Sequence, residues 1–300
     1  MSRTIVFATL AALALAPALR GQVEIERRRA APARGEIRID NAFGAVVVRG
    51  WDRAEVLVRG VVAAGADELH LEGDQEGVHI AVSVPDSWFH AAGEDAAFRS
   101  TLEIQIPAGA SLGIQTVNAT VDVQGVVGEV EVSTVNGNVR IAAGSKAIDV
   151  ETMTGAVEVR AQGAPVEIET ISGAITVAGA SGEVAIESVS GTVDVAGANV
   201  SALQVKTTTG GVVFRGSIAA RGGIEIETFS SPVRLVLPKT TRAVFELGSF
   251  GGKIESAFCS GTPVTRERFE PFRQLRCSTG PDAFEIQVRT HDADIVLAAE

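Results

Sequence analysis

The sequence predicts an all-β protein that folds as a parallel β-solenoid, a single-stranded β-helix with about 18–21 residues per coil. A short phrase recurs at a fixed interval, since residues 151–155 return as residues 169–173 and again as residues 187–191. Around each phrase, apolar and polar residues alternate with a period of two, which is typical of strands with one buried face. The chain has 32 glycines, 2 tryptophans and no tyrosine, a composition that favours thin, regular β-structure over a core packed around aromatic rings.

Residues 1–21 are predicted to be an export signal peptide. Arg3 supplies a positive charge, residues 5–15 form a short apolar segment, and small residues follow, which is the pattern of a secretory signal. The apolar segment is short for the ~20 residues that a membrane-spanning helix needs, and an uncleaved N-terminal anchor is the alternative. We therefore expect an exported protein, periplasmic, surface-located or secreted, with no stable membrane span after signal cleavage.

Residues 22–110 are predicted to form an irregular N-terminal β-region that caps the first coil. Residues 37–48 align with residues 130–141 of the regular repeat and place Gly44 in the turn. Longer alternating segments follow, and a loop over residues 86–99 separates them. This region therefore contains a diluted version of the same repeating unit.

Residues 111–257 are predicted to be the regular solenoid. A hydroxyl residue marks its register, first at 18-residue intervals and then more loosely, at Thr116, Thr134, Thr152, Thr170, Ser188, Thr207, Thr228, Ser249 and Thr290. Three residues after this position comes a turn, with predicted structural glycines at Gly137, Gly155, Gly173, Gly191 and Gly210. These glycines are expected to have positive φ, which other residues adopt only at a cost.

Stacking of identical copies is what makes such short strands stable, because each coil covers the next. An antiparallel meander or sandwich would also contain many short strands, but it gives no reason for threonine at a constant interval. Connections between parallel strands are almost always right-handed, which favours a right-handed coil. A left-handed hexapeptide helix fits the coil length, but the chain lacks the six-residue apolar rhythm of that fold.

Residues 258–300 are predicted to form a C-terminal cap closed by a disulfide and ending in one last strand pair. Cys259 and Cys277 are the only cysteines, and an even pair in an exported protein is typical of a structural disulfide. The pair lacks the CxxC spacing of redox or metal-binding cysteines. Caps are expected at both ends, because an open solenoid end would pair with other molecules.

The direction of the hydroxyl column decides what surface the solenoid presents. Packing inward or at a corner is the favoured interpretation, because stacked hydroxyls can extend the hydrogen-bond ladder. An outward row of threonines would instead be a surface for a regular polymer such as a glycan. The next residue is apolar in each copy, and two adjacent residues cannot both point inward on a flat strand. Which of the two columns occupies the bend stays open at this point.

One outward column is acidic, and it is the only candidate for chemistry in the repeat. It contains Glu151, Glu169 and Glu187, with Ser133, Lys206 and Glu227 at equivalent positions. The favoured interpretation is a solvated face, although three stacked carboxylates are also a weak candidate for a Ca²⁺ site. Two of them also match the ~5 Å separation of a retaining glycosidase, but any glutamate ladder gives this spacing. No catalytic residue and no cofactor motif is identified, and the scattered histidines do not define a zinc site.

The chain resembles the bacterial DUF4097 family of adhesin-like proteins. The resemblance rests on "IRIDNAFGAVVVRGWDRAEVLV", on "IQIPAGASLGIQTVNATVDV" and on the Thr-x-Asn-Gly of residues 134–137, and it extends from about Glu36 to Leu297. It implies a repetitive β-fold and assigns no catalytic residues. The absence of tyrosine and the segment around Cys259 and Cys277 depart from the pattern.

These observations predict a non-enzymatic exported protein with a binding or scaffolding role at the cell envelope. The alternative is a carbohydrate-active β-helix enzyme, a polysaccharide lyase or hydrolase that uses surface carboxylates. The formal charge of −11 disfavours nucleic acid as a partner. An envelope or extracellular polysaccharide or protein fits the expected partner, and no cofactor is expected.

Overall fold

The computed structural model describes residues 23–64, 66, 68–85, 98–260, 264–265, 272–281 and 283–300, with backbone only at 264–265. The predicted signal peptide and most of the predicted 86–99 loop lie outside these residues. Within them the chain is all-β and has no α-helix, and its 26 strands join into one hydrogen-bonded sheet. None of its described elements is a helix long and apolar enough to cross a bilayer.

Seven strands precede the regular repeat. They are β1 (Val23–Ala30), β2 (Glu36–Asn41), β3 (Phe43–Trp51), β4 (Glu55–Val62), β5 (Glu68–Gly73), β6 (Gly77–Ser83) and β7 (Ser100–Pro107). The repeat begins in β8 (Ser111–Gln124), a long strand that takes the place of both strands of its coil. Its first part pairs with the first strand of the next coil, and its last part pairs with the second strand.

The regular coils each contain two strands. They are β9 (Val130–Asn136) and β10 (Val139–Ala142), β11 (Ile148–Thr154) and β12 (Val157–Arg160), β13 (Val166–Ser172) and β14 (Ile175–Ala180), β15 (Glu183–Ser190) and β16 (Val193–Val200), β17 (Ala202–Thr209) and β18 (Val212–Ile218), and β19 (Gly223–Ser230) and β20 (Val233–Leu237). The C-terminal strands are β21 (Ala243–Ser249), β22 (Ile254–Ser256), β23 (Val264–Thr265), β24 (Arg273–Ser278), β25 (Phe284–Thr290) and β26 (Ile295–Ala299).

The coils stack in parallel and in the predicted register. Glu151 of β11 lies opposite Glu169 of β13, which lies opposite Glu187 of β15. First strands of successive coils pair with one another, and so do second strands, as in β12, β14 and β16. The N-terminal copy also follows its predicted alignment with residues 130–141. Ile37 pairs with Leu112, which in turn pairs with Val130 of the next coil. The predicted parallel β-solenoid is therefore confirmed.

The order of coils in space departs from the order of the chain at both ends. At the C-terminal end, β25 lies between β19 and β21, and β26 lies between β20 and β22. The last strand pair is thus inserted one coil inside the stack instead of lying at its end. At the N-terminal end, β2 and β3 lie between the outer coil of β6 and β7 and the inner strand β8.

Antiparallel strands cover the outer coils. β5 pairs with β6, and β4 pairs with β7 and carries β1 on its other edge. At the opposite end, β24 pairs with β21 and carries β23. The outermost N-terminal strand β1 is mostly exposed and reads VEIERRRA, and charges of this kind discourage further strand pairing.

One apolar core runs the length of the stack. The inward positions of each strand are Val, Ile or Leu that are almost fully buried, such as Val132 and Ile141 in one coil. The two strands of a coil contribute to the same cluster. The coils above and below complete the burial of these side chains. Phe214 and Phe245 are the largest fully buried side chains.

The turn glycines lie where two coils come closest. Their φ angles are positive, at 148° for Gly137, 134° for Gly155, 143° for Gly173, 129° for Gly191 and 115° for Gly210. A Cβ atom on Gly173 would lie 2.7 Å from the carbonyl carbon of Gly155 in the preceding coil. Both the backbone conformation and the neighbouring backbone therefore require glycine there.

The predicted disulfide is present between Cys259 and Cys277. Cys277 lies on β24, and Cys259 follows β22. The bond therefore ties the antiparallel covering strand to the end of the outermost coil.

Candidate binding groove along the coil stack

The hydroxyl column lies inside the corner of each coil. Thr134, Thr152, Thr170, Ser188 and Thr207 are 4–8% exposed. Each hydroxyl donates to the carbonyl oxygen two residues later in its own coil, as Thr152 does to Thr154 at 3.3 Å. The inward interpretation is confirmed, but the ladder along the axis is limited to Thr116, which donates to Thr134 at 2.7 Å. The hydroxyls mainly tie each strand to its own turn.

A second set of hydroxyls joins successive coils. Thr154, Ser190 and Thr209 each donate to a carbonyl oxygen of the preceding coil, that of Val135, Ile171 and Val189 respectively. The acceptors belong to the apolar residues that follow the hydroxyl column. These bonds therefore fix the backbone of the apolar residues from the adjacent coil.

The apolar residues themselves point outward and form an exposed column, which we call the apolar column. It consists, in spatial order, of Val135, Met153, Ile171, Val189, Thr208, Phe229, His291 and Phe250. Met153 and Ile171 are 48% exposed, Val189 51% and Phe229 54%. The paired register runs from Thr152–Thr170 directly to Thr154–Ser172 and leaves these positions out, so the strand is irregular where the column lies.

The acidic column runs parallel to the apolar column, two residues earlier on each strand. It consists, in spatial order, of Ser133, Glu151, Glu169, Glu187, Lys206, Glu227 and Arg289. Lys206 bonds Glu187 at 2.8 Å, and Arg289 bonds Glu227 at 3.1 Å. Glu151 and Glu169 are exposed and form no salt bridge with any described residue. The negative charge is thus uncompensated in the N-terminal half of the column.

A further column of carboxylates reinforces this charge. Asp149 lies between Glu131 and Glu167 of the neighbouring coils. Partial burial raises the pKa of Asp149, and the carboxylates of Glu167 and Glu151, with others nearby, raise that pKa further. The contribution of the neighbouring carboxylates to this rise in pKa is the expected sign of a concentrated negative potential.

The two columns form the walls of a groove with a volume of about 710 Å³. Its acidic wall contains Glu151, Glu169 and Glu187, and its apolar wall contains Met153 and Ile171, with the hydroxyl column between them. The apolar column has eight positions, so at about 4.8 Å per coil it extends roughly 34 Å. The groove follows the first six of these positions, from Val135 to Phe229, and is therefore a long, open track along the stack axis.

Aromatic rings continue the apolar column at its C-terminal end. Phe229 stacks on His291 with ring centroids 4.6 Å apart, and Phe250 stacks on the other side at 5.2 Å. Phe250 also contacts Phe272 at 4.9 Å. His291 owes its place in this stack to the insertion of β25 between β19 and β21, so its sequence position alone does not reveal it.

The outer face formed by the second strands has a different character. Most of its charges are paired, as in Arg140–Glu158 at 2.9 Å, Arg160–Glu158 at 3.1 Å and Arg215–Asp194 at 2.8 Å. Val127, in a return segment outside the groove, is also 54% exposed, but it is not part of a column. Among the described residues, the juxtaposition of an exposed apolar column and unpaired carboxylates is thus found in the groove.

The geometry offers little for metal binding or acid–base chemistry. In the described part of the chain, no group of three or more His, Cys, Asp or Glu side chains is placed to share an ion. The stacked glutamates stand in equivalent, open surroundings, whereas a glycosidase needs two carboxyls with different environments. His79 bonds Asp40 at 2.6 Å and lies opposite Glu72, while His70 lies opposite Ala81; His90 lies outside the described residues.

The fold and the groove define a class of protein: a parallel β-solenoid with an extended open surface, in which equivalent side chains repeat along the axis. The chain belongs to the DUF4097 family, because the family model described as Toastrack DUF4097 matches residues 35–298. No curated protein matches it.

Three solved structures are similar over most of the chain. A candidate cell adhesion protein from Clostridium sporogenes is 12% identical, covering 93% of this chain and 100% of its own, with a TM-score of 0.26. A candidate adhesin from Bacteroides fragilis is 8% identical, covering 93% and 98%, with a TM-score of 0.39. A candidate adhesin from Parabacteroides distasonis is 12% identical, covering 93% and 98%, with a TM-score of 0.36.

Proposed function

We propose that the protein is a non-enzymatic, exported, adhesin-like protein of the bacterial cell envelope, and that it binds its partner along the groove. The observation that carries the proposal is the apolar column, in which side chains about half exposed repeat on successive coils. Among the described residues of the regular coils, Val127 is the one large hydrophobic side chain outside this column that is comparably exposed. Leaving apolar area in water costs roughly 25 cal/mol per Å², and contiguous exposed apolar patches commonly mark interaction sites.

The cell-envelope location rests on the N-terminal sequence and the disulfide. Residues 1–21 have the pattern of a secretory signal, and the Cys259–Cys277 bond suits an oxidising compartment.

A binding role fits the groove better than turnover does. Catalysis by two carboxyls requires one acid whose environment differs from that of its partner. Glu151 and Glu169 occupy equivalent positions of successive identical coils, and the groove continues past them without a closed cleft. A carbohydrate-active enzyme is the second candidate, supported only by the spacing of these carboxylates.

Three measurements test the proposal. The mature chain is expected to cosediment with the envelope fraction of the bacterium that makes it, and Ile171→Thr should reduce this retention severalfold. Thr208 already occupies an equivalent position, so the substitution should preserve folding. Val127→Thr, which alters a similarly exposed residue outside the groove, is the matched control and should change nothing.

The second measurement is release of reducing ends or unsaturated products from neutral and acidic polysaccharides, and none is expected. Cleavage that is lost in Glu169→Gln would instead establish the enzyme. Equal retention of the unchanged protein and of its Ile171→Thr variant would refute binding through the groove. The third measurement is a fusion of residues 1–21 to a periplasmic reporter, and a fusion that stays in the cytoplasm would refute export.

A further inference from the structure

We infer that the groove binds a cationic amphipathic helix of a partner protein or peptide, with the helix axis along the coil stack. The inference rests on the proposed binding role of the groove and specifies its ligand. Apolar residues of the helix would pack on Val135, Met153, Ile171 and Val189, and Lys or Arg side chains on one flank would face Glu151 and Glu169.

Charge complementarity selects a cationic ligand. Glu151 and Glu169 have no ion-pair partner among the described residues, while Glu187 and Glu227 are each paired with a basic residue. Glu131, Asp149 and Glu167 form the neighbouring column, two residues earlier on each strand. Partial burial is the main cause of the raised pKa of Asp149, and repulsion by the carboxylates of Glu167 and Glu151 raises that pKa further. Basic side chains placed here would gain attraction and relieve that repulsion.

The apolar column selects a ligand with an apolar stripe of its own. Four consecutive positions are aliphatic and 37–51% exposed, and hydrogen bonds from the adjacent coils hold the backbone of three of them, Val135, Ile171 and Val189. Because this wall is pre-organised, binding a ligand would not incur the entropic cost of ordering it. A purely polar cation would leave this wall uncovered, and a purely apolar ligand would leave the carboxylates unpaired.

The repeat distance favours a helix over an extended chain. Rungs of the column recur at about 4.8 Å, whereas a helix advances about 5.4 Å per turn. Across four aliphatic rungs, the accumulated mismatch is only about 2 Å. Side chains on one side of an extended strand lie about 6.6 Å apart, so each step departs from the rung spacing by about 1.8 Å, roughly three times the departure of a helix turn.

Other occupants fit the groove less well. A glycan would be expected to use the hydroxyl column, but that column is buried and bonded to its own turn. A second copy of the chain would bring two strongly acidic surfaces together, since the formal charge is −11. A basic amphipathic helix satisfies both walls at once, as in other helix-in-groove complexes.

The test uses an 18-residue synthetic helix with leucines along one ridge and lysines on its flank, titrated against the mature chain by fluorescence anisotropy. Saturable binding at low salt is expected. Two control peptides should bind at least tenfold more weakly: one has glutamate in place of lysine, and the other has the same composition with the leucines dispersed around the helix. Equal affinity for all three peptides would overturn the inference.

Two protein variants locate the site. Met153→Thr/Ile171→Thr should weaken binding about tenfold at any salt concentration. Glu151→Gln/Glu169→Gln should weaken it about tenfold at 50 mM salt and about twofold or less at 500 mM, because salt screens the exposed charges. The matched controls are Val127→Thr for the apolar change and Glu129→Gln/Glu255→Gln for the charge change, since both glutamates are exposed and lie outside the groove.

Unchanged thermal midpoints of the variants would show that a loss of binding is not a loss of fold. Controls as weak as the groove variants would overturn the assignment of the site. Sedimentation velocity that shows a dimer dissociated by Ile171→Thr would identify a second copy as the occupant and overturn the inference. A neutral polysaccharide whose binding is lost in Ile171→Thr would do the same.

Failure of this inference can be distinguished from failure of the proposed function. If retention in the envelope fraction depends on Ile171 but the cationic helix does not bind, this inference fails while the binding role of the groove stands. If neither measurement depends on Ile171, both fail.

Discussion

At the scale of single residues, the turn glycines are the least replaceable positions in the repeat. Gly173→Ala should lower the free energy of unfolding by roughly 2–4 kcal/mol, because it adds a positive-φ cost to a backbone clash with Gly155. Gly211→Ala is the matched control. Gly211 follows the turn glycine Gly210, but its own φ is not positive. A Cβ atom on Gly211 would meet no other atom within 4 Å. Thermal or urea denaturation of both variants checks the prediction, and equal stabilities would contradict it.

Asp149 should make the protein less stable as the pH rises. Its folded-state pKa lies above the usual value of 3.8, so the folded chain holds the proton more tightly than the unfolded chain. Its contribution to stability is therefore greatest below pH 3.8 and is lost as the pH rises through the raised folded pKa. Asp149→Asn removes the charge and should raise the thermal midpoint at pH 7, with a difference that shrinks towards pH 3.

A residue with the opposite surroundings provides the comparison. Asp194 is paired with Arg215 at 2.8 Å on the other face, so Asp194→Asn should leave the midpoint at pH 7 unchanged or slightly lower. A lower midpoint for Asp149→Asn at pH 7 would contradict the prediction.

Some residue-level features could be predicted from the sequence, and others could not. The fixed interval of Thr152 and Thr170 predicted their stacking, because in-register coils place equivalent residues opposite one another. The direction of Met153 could not be predicted, since alternation implies that only one of two adjacent residues points inward. The structure resolves this with an irregular strand end, where the hydroxyl turns in and the apolar residue turns out.

At the scale of elements, the disulfide should stabilise the C-terminal end locally. It joins Cys259 to β24, which pairs antiparallel with β21, and a loop of this length is worth about 3 kcal/mol in chain-entropy estimates. Replacing both cysteines with serine should speed amide hydrogen exchange in residues 243–278. Exchange in the central coils, residues 130–218, should be unchanged, because each coil contacts mainly its neighbours. Faster exchange throughout the stack would contradict this local role.

The insertion of β25 and β26 shows what repeat patterns leave undetermined. The sequence correctly assigned Ser249 and Thr290 to the hydroxyl register, and both are buried. It placed their coils in chain order, yet Thr290 lies between Thr228 and Ser249. Period-two alternation reports which face of a strand is buried, but strands with the same pattern fit any rung equally well. The aromatic stack of Phe229, His291 and Phe250 depends on this order and was missed for the same reason.

At the scale of the whole molecule, the solenoid is a one-dimensional array, and its length should be adjustable by whole coils. The return segments 143–147 and 161–165 have the same length. Deleting residues 148–165 removes one complete coil, β11 and β12, and joins equivalent points of the chain. The residues above and below the deletion then meet in register, as Val132 and Ile168 each already do with Val150. We therefore expect the shortened protein to fold, with a thermal midpoint lower by a few degrees.

Deleting residues 148–155 provides the control, because it removes β11 but keeps β12. The stack would then lack one rung on the groove side and retain it on the other, so the two faces could not both stay paired. This variant should aggregate or remain unfolded, whereas the whole-coil deletion should keep the β-type circular dichroism of the parent. The whole-coil deletion also removes Glu151 and Met153, one rung of each wall of the groove. It should therefore bind the cationic helix more weakly while retaining the fold, and failure of both deletions to fold would show that the coils are not interchangeable units.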